Sequence, residues 1–184
     1  IYLISLVGDI DRRDSIKINF PLNYTAMKIV NAVDGKNKTA KEYFDFLSIM
    51  YLKNKNIITP SELGCTLSHI YTLRDFLLTN ETHALILEDD VIGSDQNIEK
   101  VKELTRILPE NSIVILGGQQ GLGFNKYIFG KDYKYKNLFE IPSFSMKFIS
   151  RSCCYLVDKR CAQTIVEKLE NDIEIIDHWH KIFR

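Results

Sequence analysis

The sequence reads as an α/β protein, a mostly parallel sheet sandwiched by helices in a single domain. Three observations predict this. Short apolar runs alternate with amphipathic stretches along the whole chain, the arrangement that builds a sheet with helical crossovers. Two of those runs, Ala84-Leu85-Ile86-Leu87 and Ile113-Val114-Ile115-Leu116, are apolar without interruption, as strands covered on both faces must be. The length of 184 residues, with 45% hydrophobic and 26% charged side chains, suits one domain that buries roughly 70% of its unfolded surface.

The elements follow in order. Residues 2–7 form an apolar run of strand formers, then Gly8 and Asp9 lead into a charged helix through Arg12, Arg13 and Ile16. Residues 28–33 predict a second strand, closed by the turn dipeptide Asp34-Gly35. Residues 36–55 are polar with scattered aromatics and read as a helix and loop excursion. Thr59-Pro60-Ser61-Glu62 is the clearest helix start: Thr59 caps, Pro60 suits the first helical position and Glu62 completes a capping box. Leu63, Leu67, Ile70, Leu73 and Leu77 follow at helical spacing, with an end near Thr79-Asn80. After the strand at 84–87, residues 98–108 predict an amphipathic helix stopped by Pro109, and the strand at 113–116 ends in Gly117-Gly118. A glycine-bearing, aromatic stretch leads to a strand at 153–157, after which Asp158 caps a helix from 159 to about 169.

Composition narrows the function classes. Lys plus Arg and Asp plus Glu both number 24, a net charge of zero, which excludes a surface built wholly for nucleic acid. No run approaches the roughly 20 apolar residues of a membrane-spanning helix. The opening residues lack the basic start and small-residue cleavage site of a signal peptide. The four cysteines, at 65, 153, 154 and 161, contain no CxxC pair and read as buried free thiols in a reducing compartment.

Glu88-Asp89-Asp90 is the most informative feature. Three carboxylates end the most apolar strand, and ligands of open α/β sheets bind beyond the carboxyl ends of strands. Side-chain alternation puts Glu88 and Asp90 on one side and Asp89 on the other. Like charges there call for a cation, and a hard divalent ion, Mg²⁺ or Mn²⁺, would bridge to a phosphate. The plain alternative is a solvated acidic turn. Gly64 in the first turn of the capped helix predicts a close approach. Ser68 and His69 lie off the leucine stripe, His69 being either a hydrogen-bonded core histidine or a site residue. Gly117, Gly118, Gly121 and Gly123 match neither GxGxxG nor a P-loop; they form either a plain loop or backbone room for a sugar, with Gln119 and Gln120 as hydroxyl-binding amides. Asp177-His178-Trp179-His180 offers a general base, imidazole metal ligands and a stacking face, or else an amphipathic helix packing Trp179 on the core. Arg12 and Arg13 could meet a diphosphate, and Asp34 a ribose or base edge, with exposed arginines and simple turn chemistry as the alternatives.

Together these residues resemble glycosyltransferase family 25, the lipooligosaccharide-type galactosyl- and glucosyltransferases. The likeness runs through most of the chain: Leu3-Ile4-Ser5-Leu6 followed by Arg12-Arg13, then Asn31-Ala32-Val33-Asp34-Gly35, and Tyr155-Leu156-Val157 with its following helix and Asp177. Its most specific parts are residues 59–69 and 84–91, in that order and spacing. The resemblance implies a GT-A-like, Rossmann-like fold and inverting hexose transfer from UDP-galactose or UDP-glucose. The acceptor it implies is a glycan or glycolipid of bacterial lipooligosaccharide or another surface glycan. On this expectation residues 1–116 bind the nucleotide sugar and residues 117–184 the acceptor. Ser5, Leu6, Arg12, Arg13, Asp34, Ser68, His69, Glu88 and Asp89 face the donor, and Gly118, Gln119, Gln120, Tyr155 and Trp179 the acceptor. Asp90, Glu88 and His180 hold Mn²⁺ or Mg²⁺, and Asp177 is the base. The expected location is the cytoplasm, with peripheral contact to the inner membrane, and no nucleic-acid partner. Rival classes sharing the acidic cluster are a metal-dependent phosphoryl-transfer enzyme or hydrolase and a non-catalytic sugar-binding domain.

Overall fold

The computed structural model describes residues 1–55, 57–135, 137–171 and 174–183. In chain order the strands are β1 (Tyr2–Ser5), β2 (Lys28–Asn31), β3 (His83–Glu88), β4 (Ile113–Ile115), β5 (Lys131–Asp132), β6 (Phe139–Glu140) and β7 (Cys154–Asp158). The helices are α1 (Ile10–Asn19), α2 (Ala40–Asn54), α3 (Pro60–Leu77), α4 (Asp95–Leu104), α5 (Ser143–Met146), α6 (Lys159–Asn171) and α7 (Trp179–Ile182).

The main sheet has the order β2-β1-β3-β7-β4. Both neighbours of β1 run parallel to it, whereas β7 is antiparallel to β3 and to β4. Four strands therefore point one way and β7 alone is reversed. The reversal matters for the site, because it brings the residues before β7 to the edge where β1 and β3 end.

Alternation along the strands sends side chains to two cores. Tyr2, Ile4, Ala84, Ile86, Tyr155 and Val157 pack against α3 and α6. Leu3, Leu85, Leu87, Leu156 and Val114 pack against Ile16 and Phe20 of the α1 region and Ile98 of α4. This is the mixed α/β sandwich of the Rossmann-like GT-A type. All four residues of the 84–87 run are buried, as a doubly covered strand requires.

Local chemistry sets the helix starts. At α3, Thr59 Oγ1 accepts from the Glu62 N–H while Glu62 accepts from the Thr59 N–H. Asp158 Oδ1 accepts from the Cys161 N–H at 2.7 Å and opens α6. β1 and β2 end two residues before the expected 2–7 and 28–33 runs do, and two helical segments also differ from the sequence reading. The excursion at 36–55 contains the 15-residue α2, started by a second capping box from Thr39 and Glu42. The helix expected at 98–108 runs from Asp95 to Leu104, because Ser94 and Asn97 cap each other one turn earlier.

Candidate active site

β3 ends at Glu88 and delivers the acidic triplet to the sheet's carboxyl edge, where Glu88 and Asp89 find different partners. Asp89 is buried and pairs with Arg12 of α1, Nη1 to Oδ1 at 3.0 Å. Glu88 turns to the opposite side, toward α3. There His69 Nε2 lies 3.1 Å from Glu88 Oε1, and its Nδ1 lies 2.9 Å from the Tyr155 hydroxyl. His69 and Tyr155 are both fully buried. His69 is thus a buried, hydrogen-bonded histidine that ties β7 to the acidic edge.

Ser152, just before β7, joins the second carboxylate to the first. Its Oγ lies 3.0 Å from Glu88 Oε1 and 2.8 Å from Asp177 Oδ1. A hydroxyl carries one proton, so it donates to one carboxylate at a time and couples the two. Asp177 lies beyond α6 in the chain, and its carboxylate meets Ser152 at this edge. Sequence reasoning passed over Ser152; the signal in hand was its position two residues before a strand whose orientation no local pattern gives.

Glu88's carboxyl lies below its ordinary value: burial pushes it up, but the hydrogen bonds and charge from His69, with Ser152 and Arg12, pull it further down. Asp90 is the opposite case. It is exposed at the turn, and its carboxyl is raised by desolvation and then by the charge of Glu88. Negative charge is therefore offset at Glu88, by His69, Ser152 and Arg12, and not fully at Asp90. The Cys65 thiol is driven far up by burial, then by Glu88 and Asp177, and stays protonated at neutral pH. Carboxylate oxygens are the donors a hard divalent cation takes, and Glu88 and Asp90 are the residues of this edge that would hold one.

A cleft of about 300 Å³ opens beside this edge. Ser5 at the end of β1 and Leu6 just after it line the cleft, with Arg12 from α1, Val33, Asp34 and Gly35 from the segment after β2, and Ser68 and His69 from α3. Ser68 Oγ accepts from the Val33 N–H at 2.8 Å and donates to the Gly64 carbonyl at 2.7 Å, locking that loop to the helix. The contact is backbone to backbone. A methyl carbon at Gly35 would fall 1.7 Å from the Pro60 carbonyl oxygen, and one at Gly64 would fall 2.5 Å from that of Val33. The close approach predicted for Gly64 is thereby explained. Asp34 both lines the cleft and accepts from the Lys36 N–H and Asn37 Nδ2. Arg13 is turned away from the cleft: it donates to Ser5 Oγ and to the Leu6 and Val7 carbonyls and braces the β1–α1 loop.

The residues expected on the acceptor side are more dispersed. Tyr155 is 0% and Trp179 2% exposed. Trp179 packs edge-on against Tyr155 and donates from Nε1 to the Arg151 carbonyl at 2.9 Å. Both rings support the site from beneath. Gln119 donates to the Ser150 and Gly117 carbonyls and accepts from the Ser150 N–H, so its amide pins the loop. Gly118 holds φ +81° there, and Gln120 is exposed. His178 faces Glu174 at 3.9 Å, and the His180 ring centre lies 6.0 Å from that of His178. Among the described residues, the group of three potential ligand atoms within 4.8 Å of one another is Cys65, His69 and Glu88; Asp90 and His180 lie outside it.

An α/β sandwich with an acidic, cleft-bearing strand edge defines a ligand-binding domain of the GT-A class. The chain belongs to glycosyltransferase family 25: the family described as "Glycosyltransferase family 25 (LPS biosynthesis protein)" matches residues 1–179. It is also similar to two proteins named "Glycosyltransferase 25 family member", at 32% identity in Anopheles gambiae and 30% in Aedes aegypti, each over 97 residues. Each match covers 50% of this chain and 16% of the relative, so the chain corresponds to a small part of those proteins. No described helix is long and apolar enough to cross a membrane.

Proposed function

We propose that this domain transfers a hexose, galactose or glucose, from a UDP-sugar to a saccharide acceptor, with inversion at the anomeric carbon. The observation that carries the reading is the pair Glu88 and Asp177, bridged through Ser152 at the edge of a cleft that also holds Arg12 and Asp34. The nucleotide lies between the 33–36 loop and the acidic edge, with Asp34 toward the ribose or base and Arg12 toward the diphosphate. The acceptor oxygen attacks the anomeric carbon opposite UDP, the bond to the phosphate oxygen breaks, and UDP leaves. Asp177 takes the acceptor's hydroxyl proton, a contribution of about 10²–10⁴-fold. Ser152 holds that carboxylate in register with Glu88. Glu88 and Asp90 would hold a divalent cation, Mn²⁺ or Mg²⁺, which when bound would supply Lewis-acid neutralisation of the leaving diphosphate.

The acceptor we assign is a glycan or glycolipid of lipooligosaccharide or another surface glycan, supported by the family's description as an LPS biosynthesis protein. Work on such an acceptor suits a cytoplasmic enzyme lying peripherally on the inner membrane. The test is a thermal-shift screen of UDP-, GDP- and CMP-sugars with and without Mn²⁺, since a ligand bound only by the folded state raises its stability. UDP-hexoses should stabilise the chain in a Mn²⁺-dependent way. Stabilisation by no nucleotide sugar, or release of inorganic phosphate without an acceptor, would overturn the proposal.

A further inference from the structure

Cys65, His69 and Glu88 are three different kinds of ligand brought to one point by α3 and β3. Cys65 Sγ lies 3.9 Å and His69 Nε2 3.1 Å from Glu88 Oε1, and all the ligand atoms fall within 4.8 Å of one another. Around a tetrahedral zinc ion, with bonds of about 2.0–2.3 Å, ligand atoms stand roughly 3.4–3.7 Å apart. The three are thus nearly in position without an ion. All three line the same cleft, which gives an ion a route in and leaves a fourth position for water. The histidine is also oriented from behind: its Nδ1 meets the Tyr155 hydroxyl, which can accept the N–H that a metal-bound imidazole carries on its other nitrogen.

We propose that Cys65, His69 and Glu88 form a site for a borderline-soft divalent cation, zinc foremost, whose occupancy withdraws Glu88 from the donor cleft. Binding forms Zn–S, Zn–N and Zn–O bonds, breaks the Cys65 S–H and the His69–Glu88 hydrogen bond, shifts the proton of the neutral imidazole from Nε2 to Nδ1, where the Tyr155 hydroxyl accepts it, and releases the thiol proton to solvent. Glu88, with Asp177 joined to it through Ser152, brings negative charge that attracts a dication, and a coordinated thiol is deprotonated by the metal itself. A hard ion gains little from sulfur, so the site discriminates by softness. Zinc and a hard cation compete for Glu88, making zinc an inhibitor if the transferase reading holds; the zinc site itself does not depend on that reading.

The experiment titrates Co²⁺ into the metal-free, reduced full chain, followed by Zn²⁺. A thiolate-to-cobalt charge-transfer band should saturate at one equivalent and bleach with one equivalent of Zn²⁺. It should vanish in Cys65→Ser and persist in Cys153→Ser. Loss of outer-shell support alone weakens metal binding about 10–100-fold, so loss of the sulfur ligand should exceed about 100-fold. Should Cys65→Ser not fold, zinc-edge X-ray absorption on the wild type reads the same site as one sulfur at about 2.3 Å with nitrogen and oxygen neighbours. No charge-transfer band, a band that survives Cys65→Ser, or a shell without sulfur overturns the proposal. In a second arm, Zn²⁺ should suppress UDP-hexose stabilisation in the wild type far more than in Cys65→Ser. Equal suppression would place zinc on the acidic edge alone and overturn the shared-ligand claim. The cobalt arm reads the site whether or not a nucleotide sugar binds.

Discussion

Replacing Gly35 by Ala tests the wall of the donor cleft. Gly35 is not among the glycines with positive φ, so an alanine there is free of backbone strain and acts only through its methyl group. That carbon would lie 1.7 Å from the Pro60 carbonyl oxygen, where ordinary contact starts at 3.4 Å. The loop and the start of α3 must separate by 3.4 − 1.7 = 1.7 Å to admit it. Both partners are backbone, so no side chain can rotate aside. Overpacking of this kind costs about 1–3 kcal/mol, and a backbone obstacle puts it at the upper end. The lower entropy of the unfolded alanine chain returns about 0.4–1 kcal/mol. A net loss of about 2 kcal/mol shifts a urea midpoint by about 1 M at a typical slope of about 2 kcal/mol/M. The same separation carries Asp34 away from its place, and misplacement of about 1 Å costs about 10²-fold in positioned chemistry. Urea unfolding and UDP-hexose thermal shifts read both effects. A midpoint and a donor shift equal to wild type would show that the loop does not rest on α3 at Gly35 and Gly64.

Three further outcomes follow from the site. Ser152→Ala removes the bridging hydroxyl and should cost about 1–3 kcal/mol. Because Glu88's carboxyl is low in the folded state, its contribution is present above the unfolded value and lost as pH falls through the folded one. Losing the Ser152 hydrogen bond raises the folded value, so the variant's acid loss should begin at higher pH; unfolding midpoints from about pH 7 to about pH 3 that merely run parallel to wild type would contradict the coupling. Asp177→Asn should lower turnover by at least about 10²-fold with donor binding kept, measured by transfer assay; near-normal turnover moves the base elsewhere. Arg12→Ala strips the partner from buried Asp89 and should weaken UDP-hexose binding about tenfold, the effect of one charge-assisted contact of about 1.5 kcal/mol, as calorimetry would show.

Where the chemistry is local, the sequence was readable. Thr59 with Glu62, and Asp158, announce helix starts through side-chain to backbone bonds spanning three residues, and both helices stand where those signals put them. Glu88, Asp89 and Asp90 were legible as an abrupt change at a strand end. The capping signal at Thr39 and Glu42 was equally local, but scattered aromatics over residues 40–54 blur the helical stripe, and α2 was read only as an excursion. The site's connectivity was not legible. Ser152 touches Asp177 and Glu88 because β7 is inserted in reverse between β3 and β4, and that order depends on long-range pairing. Burial decided the aromatics: Tyr155 and Trp179 have the chemistry of a sugar platform, yet they fill the core beneath His69.

The most direct measurement of the donor cleft is a crystal structure of the chain with Mn²⁺ and UDP bound. The account predicts the diphosphate beside Glu88 and Asp90, and the uridine between Asp34 and the β1–α1 loop. A nucleotide bound instead in the apolar cleft lined by Tyr133, Phe139 and Trp179, with the acidic edge open to solvent, would contradict it.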